Sequence, residues 1–256
     1  MTRSGPARTF HDLHDPADPL VLYNAWDAAT ARACVAAGAK AVATGSHSVA
    51  EAHGFADGQH IPFAFLVQIT ERMAASVDVP LTVDFEGGYA EMPDALSDNL
   101  KRLVDAGAVG INFEDQRIGG DGLHPVEAQA GRIAVLRRAA EACGVDVFIN
   151  ARTDLFLKQP DNQMHESLLD DAVARAAAYR EAGASGFFAP RLSADLIAPL
   201  AGAISLPLNV MAGPDGADID AMARLGVARI SHGPFPFMAA MHSFEEVARQ
   251  ALTRHT

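Results

Sequence analysis

The 256-residue sequence contains little cysteine, a single tryptophan and no long apolar run. Its two cysteines, Cys34 and Cys143, are too few for a disulfide framework or a cysteine-rich zinc site, and they fit a reducing compartment. No uninterrupted apolar stretch reaches the ~18 residues that a membrane span needs. The first fifteen residues, Met1 to Asp15, lack the apolar segment of a secretory signal. We therefore expect a cytoplasmic protein with no membrane partner.

Basic residues are scarce relative to acidic ones. Lysine and arginine total 20, whereas aspartate and glutamate total 32, so the net charge is −12. Nucleic acids and anionic membranes bind clustered basic side chains, and a surface this acidic therefore predicts no nucleic-acid partner. An apolar fraction of 49% in a chain of this length suits one large globular domain or two small ones, with a core that needs no disulfides.

A repeated pattern organises the chain: a helix-like stretch ends at a glycine, and a β-rich run follows at once. Glycine just past a helix end supplies the left-handed cap that returns the chain to a strand. Other strands begin after a proline. The eight predicted strands are Leu20–Asp27, Ala41–Ser46, Leu81–Glu86, Val109–Asp115, Asp146–Asp154, Gly186–Arg191, Leu208–Ala212 and Arg229–Pro234.

These strands are short and apolar on both faces, which indicates a parallel sheet covered by helices, such as those predicted at Ala95–Ala106 and Leu168–Ala182. Eight such units in about 250 residues are typical of an α/β protein of the (β/α)8 TIM barrel type. An open doubly wound sheet is the alternative, but no Gly-x-Gly-x-x-Gly follows the first strand. We predict a single barrel domain over residues 1–256, with the glycine-rich segment Gln116–His124 as a mobile flap.

Acidic side chains follow the third and fourth predicted strands. Asp84 and Glu86 lie two residues apart, so on a strand they would point to the same side, and Glu114 ends the next strand. Active sites of such barrels lie at the carboxyl ends of the strands. Three converging carboxylates would repel one another, and Mg²⁺, which prefers oxygen ligands, would relieve the repulsion. The alternative is a set of helix caps and ion pairs at the rim.

Other candidates lie at the remaining strand ends. Arg152 would hold a carboxylate or phosphate with two hydrogen bonds, or would simply pair with Asp154. The turn Thr44–Ser48 offers backbone N–H groups to an anion, although a plain helix cap is the alternative. Tyr89 would donate a hydrogen bond into the mouth or pack. Trp26 would form a wall of the pocket or pack in the core. Further candidates for substrate binding are Gly45, Ser46, His47 and Asn209.

Five motifs in order resemble the isocitrate lyase/phosphoenolpyruvate mutase superfamily. The resemblance spans about residues 10–242, and any single motif is far less specific than the ordered set. The motifs are Asn24-Ala25-Trp26-Asp27-Ala28, Thr44-Gly45-Ser46, Asp84-Phe85-Glu86-Gly87-Gly88-Tyr89, Asn112-Phe113-Glu114-Asp115-Gln116 and Asn150-Ala151-Arg152-Thr153-Asp154.

The resemblance implies a (β/α)8 barrel that binds Mg²⁺, or Mn²⁺ in its place, and acts on 2-oxo or 2-hydroxy acids through an enolate. By position, Asp84 would be the direct metal ligand, while Glu86, Glu114 and Asp57 would be the other metal-site carboxylates, often acting through waters. It also implies a homodimer or homotetramer that exchanges its last helix between subunits.

The resemblance further implies that backbone atoms of Gly45, Ser46 and His47 cradle the substrate carboxylate. Arg152 would hold the reacting group, and we group it with Tyr89 and Glu114 as catalytic candidates.

Two departures from the family pattern shape the functional prediction. Glu86 stands where the family has the second aspartate of Asp-x-Asp. The flap Gln116–His124 contains neither the Lys-Lys-Cys-Gly-His stretch of the isocitrate lyases nor the Lys- and Asn-containing loop of the phosphonomutases. A decarboxylase needs no protein acid for its leaving group, because CO₂ leaves uncharged.

The sequence therefore predicts a Mg²⁺-dependent carbon–carbon lyase or decarboxylase acting on a small 2-oxo or 2-hydroxy (di)carboxylic acid. The alternatives are a phosphonomutase and a non-catalytic barrel that binds a metabolite.

Overall fold

The computed structural model describes residues 4–253, which form a ring of eight parallel strands. The strands are β1 (Leu20–Leu22), β2 (Val42–Ala43), β3 (Leu81–Asp84), β4 (Gly110–Glu114), β5 (Phe148–Arg152), β6 (Gly186–Phe188), β7 (Leu208–Met211) and β8 (Val227–Ser231). Their order in the sheet is β1-β8-β7-β6-β5-β4-β3-β2, and a parallel bridge between Ala25 and Thr44 joins the two edges. The predicted (β/α)8 TIM barrel is confirmed.

Helices alternate with the strands and cover the outside of the barrel. They are α1 (Ser4–Asp12), α2 (Ala28–Ala36), α3 (Ser46–Ala52), α4 (Phe63–Ala74), α5 (Pro93–Ala106), α6 (Val126–Ala142), α7 (Leu155–Lys158), α8 (Leu169–Glu181), α9 (Ile197–Ala203), α10 (Ile219–Arg224) and α11 (Phe235–Leu252). Short 3-10 turns lie at Asn162–Leu168 and Ala194–Leu196. The two helices predicted from the sequence correspond to α5 and α8.

The strands end earlier than the sequence predicted. The first ends at Leu22 and not at Asp27, and the fifth ends at Arg152 and not at Asp154. The polar residues that follow leave the ladder because their side chains and N–H groups bond across the mouth. Asn24, for example, accepts hydrogen bonds from the N–H groups of His232 and Gly233. These residues form the rim of the barrel.

Helix α5 shows how the repeated pattern builds one unit. Its buried leucines, Leu96, Leu100 and Leu103, recur at helical spacing and face the sheet. The helix ends at Gly107, which has a φ of 112°. A side chain there would be strained, and its Cβ would lie only 2.5 Å from the Cβ of Ala74 on α4. Glycine at this position therefore allows both the turn into β4 and the close packing of two helices.

Aromatic side chains of α1 close the amino end of the barrel. Phe10 is fully buried, and its ring centroid lies 5.5 Å from that of Phe148 on β5. Gly110 leaves room for this plug, because a Cβ there would lie 2.5 Å from the Phe10 ring. His14 stacks on Phe148 with 3.8 Å between ring centroids. The opposite end, where the strands finish, is the open mouth.

The C-terminal helix α11 exposes an apolar face. Met238, Met241, Phe244 and Val247 are all largely exposed on it. A contiguous apolar surface of this kind is typical of a helix that packs against another chain. Exchange of the last helix and assembly into a homodimer or homotetramer stay predictions. Within residues 4–253, none of the helices combines the length and apolarity that crossing a bilayer requires.

His14 is a buried group whose ionisation couples to folding. Its Nδ1 donates to the carbonyl oxygen of Phe10 at 2.7 Å, whereas its Nε2 has no hydrogen-bond partner within residues 4–253. Burial, reinforced by the charge of Arg229, lowers the pKa of His14 to about 3. In the unfolded chain the pKa of histidine is about 6.5. Between these values the unfolded state binds more protons, so stability present above pH 6.5 is lost as the pH falls toward 3.

We expect the replacement His14→Phe to flatten the pH dependence of the free energy of unfolding. The wild-type slope between about pH 6 and pH 4.5 should exceed that of the variant by up to about 1.4 kcal/mol per pH unit, the value for one proton. Urea unfolding at a series of pH values measures both slopes. The matched control is His60→Phe, at an exposed histidine, which should keep the wild-type slope. Equal slopes for His14→Phe and the wild type would contradict this account of His14.

Candidate active site

The carboxyl ends of the strands surround a cavity of about 230 Å³. Each of the eight strands contributes to its wall, either through a residue of the strand itself or through the segment that follows it. The lining residues are Asn24, Gly45, Ser46, His47, Asp57, Asp84, Asn112, Arg152, Leu157, Phe188, Pro190, Met211, Ser231, Gly233 and Pro234. The structure therefore brings Gly45, Ser46, His47, Asp57, Asp84 and Arg152 together, as the sequence predicted.

Asp84, the last residue of β3, is fixed by the neighbouring strand. Its N–H donates to Thr44 Oγ1 at 2.8 Å, and its Oδ2 accepts from the Ser46 N–H at 3.0 Å. Its Oδ1 is buried and has no hydrogen-bond partner in the part of the chain that the structure describes. Burial raises the pKa of Asp84, and the positive charge of Arg152 opposes this rise. An unpaired buried carboxylate oxygen is costly, so this atom is suited to a cation.

The Ser46 N–H, one donor of the anion cradle that the resemblance implied, has a partner within the protein. It holds the carboxylate of Asp84, so this donor of the proposed anion cradle is already engaged with the protein. Gly45, Ser46 and His47 still line the cavity at the start of α3. Their contact with a substrate carboxylate stays a prediction.

Glu86 reaches the acidic cluster by a route that strand alternation does not describe. Glu86 lies beyond the end of β3 and has a positive φ of 48°. Glu86 does join the acidic cluster, but the expected reason, a strand face shared with Asp84, was wrong. Its Oε2 accepts from the Gln59 N–H at 2.8 Å, and its Oε1 accepts from the Tyr89 hydroxyl at 2.6 Å. Burial raises the pKa of Glu86 to about 7, with Tyr89 opposing and Asp84 adding to the rise.

Tyr89 lies behind Glu86 and does not line the cavity. Its hydroxyl donates to Glu86, and its ring centroid lies 5.2 Å from that of Phe63. Burial, together with the nearby carboxylate of Glu86, raises the pKa of Tyr89 above its ordinary value. The structure therefore makes Tyr89 a support for Glu86 and does not aim its hydroxyl into the mouth.

Arg152 pairs with two carboxylates at once. Its Nε and Nη2 bind the two oxygens of Asp154 at 2.6 and 3.1 Å, and its Nη1 lies 3.1 Å from Oε2 of Glu114. Burial alone would lower the pKa of Arg152, but Glu114, Asp154 and Asp84 outweigh it and hold the pKa well above its ordinary value. Both alternatives for Arg152 are thus present, because it pairs with Asp154 and also lines the cavity.

Glu114 lies beside Arg152 and just outside the cavity wall. Burial raises its pKa, and the charge of Arg152 opposes that rise. Asp57 is exposed at the rim, where its charge adds to the rise in the pKa of both Asp84 and Glu86. The charges of the four acids predicted to share a metal therefore affect the pKa values within this group, although Asp57 is exposed and the other three are buried.

The mouth carries more negative than positive charge. Five carboxylates, those of Asp57, Asp84, Glu86, Glu114 and Asp154, lie in or beside the mouth, whereas Arg152 is the only lysine or arginine among residues 4–253 that lines the cavity. Residues 4–253 do not bring three acidic, His or Cys side chains close enough to ligate one ion together. Magnesium keeps several of its waters in proteins. The unpaired Oδ1 of Asp84 fits such an ion: Asp84 would be its direct ligand, and the other acids would be reached through waters.

Trp26 and Asn209, two further predicted residues, also lie outside the cavity lining. Trp26 lines a separate groove between α2 and α11, and its ring centroid lies 5.1 Å from that of Phe237. Asn209 is buried beneath the mouth, where its Nδ2 donates to Ser231 Oγ at 3.0 Å. Position at a strand end was not sufficient to predict the cavity wall, because a residue after the strand can turn outward.

Several polar residues of the site were missed by the sequence analysis. Asn112 and Ser231 line the floor of the cavity. Arg229 lies beneath them, almost fully buried, and donates to Asn112 Oδ1 at 3.0 Å. An arginine inside the otherwise apolar run Val227–Ile230 was a visible signal of an interior role.

The predicted flap folds back on itself. A bridge pairs Gln116 with Leu123, and the Arg117 N–H donates to the carbonyl oxygen of Gly122 at 3.1 Å. Ile118 packs near Gly87, because a Cβ added to Gly87 would lie 3.1 Å from Cγ1 of Ile118. None of the flap residues lines the cavity. Closure of this segment over a substrate stays a prediction.

The sequence and the fold are similar to those of known proteins. The sequence model of the phosphoenolpyruvate phosphomutase family matches residues 10–252. A crystal structure from Burkholderia cenocepacia, provisionally assigned as a phosphonomutase, is 43% identical with a TM-score of 0.93, covering 97% of this chain and 99% of that one. An uncharacterized protein of Mycobacterium tuberculosis is 34% identical, over 94% of this chain and 88% of its own.

A more distant neighbour shows the same fold. The crystal structure of a phosphonopyruvate hydrolase in complex with oxalate and Mg²⁺ is 20% identical, with a TM-score of 0.83, and the match covers 98% of this chain and 87% of that one. At that level of identity the likeness concerns the fold alone.

We expect Asp84→Asn to abolish stabilisation of the fold by Mg²⁺. The amide keeps the shape of the side chain but removes a buried negative charge, so the melting temperature in EDTA should equal or exceed that of the wild type. Added Mg²⁺ should raise the melting temperature of the wild type and leave the variant unchanged, because a ligand that binds only the folded state stabilises it.

The control for this measurement is Asp78→Asn, at an exposed acid before the amino end of β3. It should keep the full response to Mg²⁺. An equal rise in melting temperature for wild type and Asp84→Asn would show that Asp84 does not hold the ion.

Proposed function

Because this chain belongs to the phosphoenolpyruvate phosphomutase family, we propose that it is a Mg²⁺-dependent carbon–carbon lyase or decarboxylase that acts on a 2-oxo or 2-hydroxy acid. Lyases and phosphonomutases both occur in the superfamily to which this family belongs. The observation that carries the proposal is the unpaired Oδ1 of Asp84, buried in a mouth that also contains Arg152 and an excess of carboxylates.

The residues present fit the roles that such a reaction needs. Asp84 would hold Mg²⁺ directly, and Asp57, Glu86 and Glu114 would do so through waters. When bound, Mg²⁺ would supply positive charge beside the oxygen atoms on which negative charge develops as the carbon–carbon bond breaks. Gln59 and Tyr89 keep Glu86 in place and favour its ionised form through their hydrogen bonds.

Arg152 would orient the acid and offset its charge. Its guanidinium is held by Asp154 through Nε and Nη2 and by Glu114 through Nη1, and the residue also lines the cavity. A group fixed in this way loses little freedom when the substrate arrives. The absence of lysine and cysteine from the flap favours a leaving group that needs no protein acid, such as CO₂.

A phosphonomutase is the second candidate. The 43% identical protein with that provisional assignment favours it. A phosphonate carries more negative charge than a carboxylate and usually binds several cationic donors. Among the described residues, Arg152 is the only lysine or arginine that lines the cavity, and two carboxylates already share its charge. We therefore rank carbon–carbon chemistry first.

A panel of 2-oxo, 2-hydroxy and phosphono acids tests the proposal. We expect release of pyruvate, another 2-oxo acid or CO₂ from at least one carboxylic acid in Mg²⁺, and none in EDTA. Arg152→Lys should lower kcat/KM at least about a hundredfold, because lysine cannot replace the paired contacts of the guanidinium. The matched control is Arg137→Lys, which bonds Gly183 at the amino end of the barrel and should keep wild-type rates.

The outcomes separate the candidates. Turnover restricted to phosphono acids would replace the lyase by the phosphonomutase. Carboxylic-acid turnover that survives both EDTA and Arg152→Lys would contradict the proposed site.

A further inference from the structure

The mouth cavity has two unlike walls. One wall is polar and charged, and it is formed by Ser46, Asp57, Asp84 and Arg152. The other wall, which we call the apolar wall, comes from the ends of β6 and β7 and from the segments after β5, β6 and β8. Its side chains are those of Leu157, Phe188, Pro190, Met211 and Pro234, and Ser231 lies at its base on the floor of the cavity. A cavity built in this way distinguishes the two ends of its ligand.

The apolar wall is held by packing inside the barrel. Phe188 ends β6 and is almost fully buried, with its ring 6.0 Å from the guanidinium carbon of Arg152, so it marks the boundary between the walls. Met211 ends β7, and its Sδ lies 2.8 Å from where a Cβ on Gly233 would be, so Gly233 leaves space for the thioether. Leu157 on α7 is half-buried and completes the wall.

The charges of the cavity argue against a second ionic group on the ligand. Among the described residues the only lysine or arginine in the lining is Arg152, and Asp154 and Glu114 already bind it. A second carboxylate placed against Phe188 or Met211 would lose its water without gaining a lysine or arginine partner, close to an excess of carboxylates. Burial of an unpaired charge of that kind is strongly unfavourable.

We propose that the substrate is an acid with one ionic end and one uncharged alkyl end, an inference that rests on the proposed function. The carboxylate and the adjacent oxygen lie on the side of Asp84 and Arg152, and a short branched alkyl group lies against the apolar wall. This narrows the substrate class from dicarboxylic acids to acids with a single carboxylate and an aliphatic substituent. It also narrows the reaction to carbon–carbon lyase cleavage, because loss of CO₂ from the only carboxylate would leave no enolate.

A matched pair of inert ligands tests the inference without relying on turnover. N-Isobutyl oxamate and N-(carboxymethyl) oxamate share a carboxylate next to a carbonyl, and their tails are similar in size but differ in charge. Isothermal titration calorimetry in Mg²⁺, with oxalate as the reference ligand, gives the three dissociation constants. We expect the isobutyl compound to bind at least about tenfold more tightly than the carboxymethyl compound.

The replacement Leu157→Lys should reverse this preference, because it adds a cation to the apolar wall at a half-buried position. Met164→Lys is the matched control. Met164 is 48% exposed and does not line the cavity, so its replacement should keep the wild-type preference. Circular dichroism confirms that each variant is folded.

The failures of the two proposals are distinguishable. Tight oxalate binding in Mg²⁺, together with equal or tighter binding of the carboxymethyl compound or no binding of either oxamate, would overturn the apolar-tail inference alone. Absence of oxalate binding in Mg²⁺ would overturn the proposed function and the inference that rests on it.

Discussion

Repulsion among carboxylates at the mouth is the constraint that governs the rest of this site. Four of the five acids are held by donors of the protein: Ser46 binds Asp84, Gln59 and Tyr89 bind Glu86, and Arg152 binds both Glu114 and Asp154. These contacts fix the acids but do not cancel their charge, and burial raises the pKa of Asp84, Glu86 and Glu114. A cation is the partner that would complete the arrangement, and this requirement links the fold to its chemistry.

The interior of the barrel supports the mouth from below. Arg229 and Asn150 both donate to Asn112 Oδ1, at 3.0 and 2.9 Å, and Asn112 in turn lines the floor of the cavity. Burial lowers the pKa of Arg229 to about 9, and the charge of Asp84 opposes that shift. A buried positive charge beneath an acidic rim lowers the cost of gathering the acids there. The aromatic plug formed by Phe10, His14 and Phe148 closes the barrel on the far side of this polar layer.

Much of the architecture could be predicted because it depends on local rules. The glycines after the helices adopt positive φ, as at Gly107, and the strand-end rule places Asp84 and Arg152 in one cavity. The failures arise where the chain leaves regular structure. Glu86 turns into the cluster through a left-handed backbone, and Trp26 turns away toward α11. Strand alternation does not predict the position of either side chain, because the direction of the chain after a strand depends on tertiary contacts that no short sequence pattern contains.

The two walls of the cavity come from different parts of the ring. The charged wall is carried by β2 to β5, and the apolar wall follows β5 to β8. Because strands of a barrel tolerate changes in their terminal loops independently, the reactive half and the selecting half can diversify separately. Evolution, or an engineer, is therefore free to alter which molecules enter through substitutions at positions such as Leu157 or Met211 while the ion-holding half stays intact.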